Sequence, residues 1–200
     1  MHRILNIAGN ENNNVDLIEH PKADFIFITS VKADINIISD LIEDKEFLLF
    51  QDNFRALEIS NLNTFAQIDN YFLKTINYAK IVVLRLFGDK GTWSYGLEQL
   101  IKWKEVNLNK TLLILSGTDE EDLSLNELSS VDLDTSLKIS KLLKSGGKEN
   151  YRRFLYCLSY LSSNETNIPQ KYISNVSYPD PYQYDWKNEK GLKVGIISYK

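Results

Sequence analysis

The sequence predicts an α/β fold: an open, mainly parallel sheet flanked by helices, then a helical pair and an extended connector rich in proline and tyrosine. Three observations carry this. Short β-branched and aromatic runs alternate with longer segments of helical period. The runs at 23–29 and 80–87 are apolar nearly throughout, as suits strands buried on both faces. After the run at 111–115 the alternation stops, and two helical patterns follow with no strand between them.

Residues 3–8 read as a first strand and 23–29 as a second. Residues 35–42 follow as a short helix, with Ile35, Ile38 and Ile42 on one face. Residues 54–59 alternate less cleanly and read as a strand. Thr64-Phe65-Ala66-Gln67 matches a capping box, in which the threonine hydroxyl and the glutamine side chain satisfy each other's free backbone amides. The helix it opens carries Phe65, Ile68, Phe72 and Ile76 on one face. Residues 80–87 form the strongest strand pattern in the chain. A helix over 95–106 carries Leu97, Leu100, Ile101 and Trp103, and 111–115 is another apolar strand.

Residues 123–145 and 148–161 read as consecutive helices, with Gly146-Gly147 as the stop between them. Tyr151, Phe154, Leu155, Leu158 and Leu161 give the second helix its core stripe. Beyond it, Pro169, Pro179 and Pro181 are interspersed with Tyr172, Tyr178, Tyr182, Tyr184 and Trp186, without periodicity, as in a connector packed on a surface. Residues 192–199 then read as a fresh strand. The expected organisation is an α/β head over 1–165, a connector over 166–190, and over 191–200 the first strand of a following, truncated domain.

Composition excludes several function classes. Of 200 residues, 43% are hydrophobic, enough for a core without disulfide or metal staples. A net charge of −4 gives no electrostatic reason to bind nucleic acid or an anionic membrane. The apolar runs are too short for a membrane span or a signal peptide, which places the protein in the cytoplasm. Cys157 is the single cysteine, set in a helical stripe, and reads as a buried inert thiol. His2 and His20 lack any metal-ligand spacing, so neither catalytic nor metal-binding residues are expected. The acidic run at 119–122 reads as a solvated helix start. Sequons at Asn109, Asn164 and Asn175 carry no meaning in a cytosolic protein.

The informative segment is 85–100, where the best strand ends and a helix begins. Open α/β sheets bind ligands at that end. Gly88 and Gly91 permit tight turns, yet neither the phosphate-loop nor the dinucleotide glycine pattern is met. An ordinary turn, with Trp93 and Tyr95 covering the sheet end, accounts for the residues as well. Arg85 is a charge in an apolar strand and needs a partner. It pairs with a carboxylate such as Glu98, or it projects from the strand end toward a ligand.

Leu84-Arg85-Leu86-Phe87-Gly88, followed by Trp93-Ser94-Tyr95-Gly96-Leu97-Glu98-Gln99-Leu100, resembles the signature near the N-terminus of the large, CobN-type subunit of cobaltochelatase: R-x-x-G, then W-x-Y-G. Ala23-Asp24-Phe25-Ile26, Ser116-Gly117-Thr118-Asp119, Gly146-Gly147-Lys148-Glu149-Asn150 and Val194-Gly195-Ile196-Ile197-Ser198-Tyr199 resemble further segments of that family in the same order. The magnesium chelatase H subunit is a paralogue, and W-x-Y-G favours the cobalt branch. The resemblance implies a piece of a ligase that inserts cobalt into hydrogenobyrinic acid a,c-diamide in cobalamin biosynthesis. It also implies a corrinoid substrate, AAA+ partner subunits that hydrolyse ATP, and the remaining domains of the large subunit as neighbours. On this reading the chain itself holds no cofactor, metal or catalytic group. Arg85, Gly88, Trp93, Tyr95 and Gly96 become candidates for ligand or domain contact, with Arg85, Trp93 and Tyr95 gathered at one sheet end. The alternative is a stand-alone module of flavodoxin-like layout that binds a small ligand or regulates.

Overall fold

The computed structural model describes residues 17–118, 123–163, 168–174 and 176–177. The expected strands at 3–8 and 192–199, the acidic run at 119–122 and the connector from 178 lie outside the described residues.

Strand β1 (Phe25–Thr29) leads into α1 (Lys32–Ile42), β2 (Phe54–Glu58), α2 (Phe65–Lys74), β3 (Ile81–Leu86), α3 (Ser94–Val106) and β4 (Thr111–Ser116). The chain continues through α4 (Leu123–Asn126), α5 (Leu133–Ser145), α6 (Lys148–Ser162) and the short α7 (Gln170–Ile173). The four strands are parallel in the order β2-β1-β3-β4. Phe25 stands level with Phe54 on one side and Ile81 on the other, and Ile81 with Thr111.

All of β1 and β3 is buried, because helices cover both faces. Strand alternation divides their side chains between two cores. Phe25, Phe27, Ile81, Val83, Leu113 and Leu115 pack against α1, α5 and α6. Ile26, Ile28, Val82, Leu84, Leu112 and Ile114 pack against α2 and α3. The fold class expected from the sequence is therefore the one observed.

Three local expectations shift. Helix α1 starts three residues earlier than its apolar period suggested, and its inner face is Asp34, Ile38 and Leu41. In α2 the capping box forms, Thr64 accepting from the Gln67 amide at 3.2 Å, but the buried residues are Ile68 and Tyr71 while Phe65 faces solvent. The single helix expected over 123–145 is broken between Asn126 and Leu133. The break has a cause on each side. Asp132 caps α5 by accepting from the Thr135 amide at 2.9 Å, which holds its carboxyl below the usual carboxylate range. Ser129 and Ser130 turn to β4, where their hydroxyls accept from the amides of Ile114 and Leu112 at 2.8 Å each. A continuous helix would leave that strand edge unpaired.

Gly146 and Gly147 have φ of 64° and 82° and make the α5–α6 turn. Past α6, Ile168 and Ile173 join the first core, and Tyr172 stacks on Tyr156 with ring centroids 4.5 Å apart. The buried Asn150 accepts from the Ser177 amide at 2.8 Å and donates to the Ser177 carbonyl at 2.7 Å, which pins the chain there to the start of α6.

Candidate functional site

The segment 85–100 runs from the C-terminal end of β3 into α3, and each of its marked residues has a distinct position. Arg85 is on the same strand face as Ile81 and Val83 and so points to the α1–α6 side of the sheet. It is 5% exposed and its Nη1 lies 2.6 Å from Oδ1 of Asp34, which is fully buried in the first turn of α1. Asp34 also accepts from the Thr29 hydroxyl at 2.7 Å and from the Tyr151 hydroxyl. The Thr29 oxygen in turn accepts from the Val31 amide at 2.9 Å. β1, α1, β3 and α6 thus meet in one buried polar knot. Burial, reinforced by the neighbouring Asp34 carboxylate, pushes the Tyr151 phenol well above its ordinary range, so it acts as a donor. Arg85 Nε has no hydrogen-bond partner among the described residues.

Glu98 is not the partner of Arg85. It lies on the outer face of α3 and pairs with Lys102 at 2.6 Å, one helical turn on.

Gly88 follows the strand with φ of 107°, and a β-carbon there would collide with the Thr92 hydroxyl. The turn closes on itself: Asp89 Oδ1 accepts from the Gly91 amide at 2.8 Å and the Asp89 carbonyl from the Thr92 amide at 3.1 Å. Trp93 then enters the other core, against α2 and α3, and donates its indole N–H to the Leu62 carbonyl at 3.1 Å. Its ring lies across Gly96, where a β-carbon would fall inside the indole. W-x-Y-G is therefore a packing unit, with the glycine making room for the tryptophan one turn earlier. Tyr95 stays on the surface, donates to Asp69 at 2.6 Å and packs on exposed Phe65 with ring centroids 4.5 Å apart. The hydrogen bond to Asp69 raises its phenol pKa.

Arg85 and Trp93 consequently share an end of the sheet but not a face. Arg85 belongs to the α1–α6 side, and Trp93, Tyr95 and Gly96 belong to the α2–α3 side. The three stand at one sheet end, as expected, but not on one face: strand alternation turns Arg85 toward α1 and α6, while the crossover into α3 carries Trp93 and Tyr95 to the other side. Between the two groups the strand ends are tied together. The Ser30 amide donates to the Arg85 carbonyl at 2.9 Å, the Phe87 amide to the Ser30 hydroxyl at 3.1 Å, and the Gly117 amide to the Leu86 carbonyl at 2.8 Å.

Asp34 and Thr29 carry no mark as site residues in the sequence, and Tyr151 reads there only as part of a helix's core stripe. Asp34 did leave a trace: with Ile38 and Leu41 it falls on the buried stripe at i, i+4 and i+7, an acid among apolar neighbours. Chemically, the knot is an internally neutralised ion pair that fixes strand ends. Cys157 is fully buried and its thiol is pushed up to about 12 by burial, so it is unsuited to nucleophilic attack. Among the described residues there is no group of three or more metal-ligating side chains, and no helix is long and apolar enough to cross a membrane.

No family model matches the chain. Over 111 residues, 54% of the chain, it is 30% identical to the aerobic cobaltochelatase subunit CobN of Pseudomonas aeruginosa. Over 175 residues, 86% of the chain, it is 26% identical to the CobN subunit of a Sinorhizobium species. These matches cover 9% and 13% of the relatives, so the chain spans about a tenth of the length of the curated proteins it matches. Among solved structures, the catalytic subunit of cobaltochelatase from Mycobacterium tuberculosis shares the fold, with a TM-score of 0.50 over 70% of this chain and 10% of that one, at 22% identity. In sequence the chain is similar to part of the CobN-type cobaltochelatase subunit, and it shares a fold with part of a cobaltochelatase catalytic subunit.

Proposed function

We propose that the chain is an N-terminal portion of the tetrapyrrole-binding large subunit of an ATP-dependent cobaltochelatase. The complete assembly inserts Co²⁺ into hydrogenobyrinic acid a,c-diamide during cobalamin synthesis, in the cytoplasm. AAA+ partner subunits hydrolyse the ATP. The observation that carries the reading is similarity to CobN over 86% of the chain. The role assigned to this portion is structural: a rigid α/β head whose C-terminal strand end, with Phe87, the 88–92 turn and the Phe65–Tyr95 pair outside, faces the rest of the subunit. Chelation and metal delivery belong to other parts of the assembly.

Two observations favour this over a stand-alone module for a small ligand. The 88–92 turn is closed by its own hydrogen bonds, and Arg85 is committed to Asp34 inside the protein.

The test has two arms. In a bacterium whose CobN lacks the region matching this chain, supplying the chain separately is expected to restore cobalt insertion, and failure to restore it speaks against the assignment. Titration of the purified chain with metal-free hydrogenobyrinic acid a,c-diamide is expected to give no saturable absorbance change. Tight binding by this chain alone would overturn the statement that the tetrapyrrole site lies elsewhere.

A further inference from the structure

Residues 18–24 run as a strap beside β2, on the side of the sheet that α2 covers. The Asp24 amide donates to Asn53 Oδ1 at 2.8 Å, and Lys80 Nζ lies 2.8 Å from Asp24 Oδ2. Arg55 Nε donates to the Pro21 carbonyl at 3.2 Å, and the Thr75 hydroxyl to the His20 carbonyl at 3.2 Å. Ile18 packs on the α2–α3 core and lines a cleft of about 300 Å³ with Leu57 and Glu58. The strap is thus anchored by a charge pair at Asp24, and toward Ile18 it depends on His20.

The His20 contact has a fixed polarity. Its Nδ1 lies 3.0 Å from the hydroxyl of Tyr71, whose side chain is fully buried. Burial pushes that phenol well above its ordinary range, so it keeps its proton. The hydroxyl has no other hydrogen-bond partner among the described residues, and a buried O–H without an acceptor is costly. Tyr71 therefore donates, Nδ1 accepts, and the neutral ring carries its proton on Nε2.

We propose that His20 is a proton-sensitive latch: a proton taken up on Nδ1 breaks the bond from Tyr71 and lets the strap from Ile18 to His20 lift off, hinged between Pro21 and Asp24, while the sheet stays folded. An imidazolium has only donors, so the Tyr71 hydroxyl loses its acceptor. The surrounding charges agree. Arg55 of β2, which clasps Pro21, opposes a second cation beside it. In the cleft, Glu58 of β2 favours the proton and Lys32 of α1 opposes it, so the two offset. On α2 the facing group is neutral Tyr71. Within the strap Glu19 is exposed, and Lys22 Nζ sits on the Tyr78 ring, 3.7 Å from its centroid. Burial, helped by Arg55, lowers the His20 pKa while the strap is closed. A freed ring titrates near the ordinary value of about 6.5, so the latch is shut above that value and opens as pH falls through it toward the lower one.

Methyl NMR of the intact chain with a soluble gadolinium chelate, titrated from about pH 7.5 to 5, reads this out. As His20 titrates, relaxation of the Ile18 methyls by the chelate is expected to rise severalfold, toward that of exposed Leu73, while Val82 and Leu84 in the sheet stay shielded. Unchanged Ile18 relaxation through the His20 titration overturns the proposal, and so does an equal rise at Val82 and Leu84, which marks unfolding of the whole. His20→Gln keeps an acceptor for Tyr71 that does not titrate, and is expected to hold Ile18 shielded across the same range. An exposed Ile18 at the acid end in that variant also overturns it.

Discussion

Asp34 in the first turn of α1 and Arg85 at the end of β3, 51 positions apart, form a buried ion pair with an N–O separation of 2.6 Å. Their side chains are 0% and 6% exposed, so water screens neither charge. Thr29 and Tyr151 supply further hydrogen bonds to the carboxylate, as a buried charge requires.

Removing either partner strands the other as an uncompensated charge. Arg85→Met or Asp34→Leu alone is expected to lower unfolding stability by about 3–5 kcal/mol. The double variant, which removes both charges, is expected to lose clearly less than the sum of the singles. Urea unfolding of the four proteins measures the coupling, and additive losses would show that the pair is not a unit.

The Trp93–Gly96 contact predicts a reversal of helix propensity. Alanine is better than glycine inside a helix by about 1 kcal/mol. At position 96, however, its β-carbon meets the Trp93 ring. Gly96→Ala is therefore expected to destabilise by roughly 1–3 kcal/mol through overpacking. In a Trp93→Leu background the same substitution is expected to be neutral or stabilising. Thermal melts of the two pairs decide it: an equal loss in both backgrounds would locate the cost elsewhere.

His20 gives a pH dependence. Burial, helped by the charge of Arg55, lowers its pKa in the folded chain. The unfolded chain then binds the proton more readily, so stability rises with pH where His20 titrates. The stability is fully present above the ordinary histidine value of about 6.5, and is lost as pH falls through that value toward the lower folded one. Replacing His20 with Gln is expected to flatten the fall in urea midpoint between about pH 7 and 5. An unchanged slope would assign that fall to other groups.

Much of the architecture was legible from short-range pattern. The strands at 23–29, 54–59, 80–87 and 111–115 lie within a residue or two of their observed bounds, and in all but the half-buried 54–59 this is because doubly buried parallel strands leave long apolar runs. The Thr64 capping box and the Gly146-Gly147 turn form as read, since each depends on a few consecutive residues. The break at Asn126–Leu133 was not legible. Ser129 and Ser130 look like helix surface in sequence and gain their meaning only from the edge of β4 beside them.

The sequence by itself determined the α/β class, the alternation of strands and helices from β1 to β4, the resemblance carried by 85–100 and the fact that Arg85 must have a partner. Each follows from spacing within one element or one turn. Only the tertiary structure decided that the partner is Asp34 rather than Glu98, and that Arg85 and Trp93 stand on opposite faces of the sheet. The physical reason is the crossover connection. It brings α1 over the end of β3 from 51 positions away, and strand alternation then assigns neighbours in sequence to separate cores.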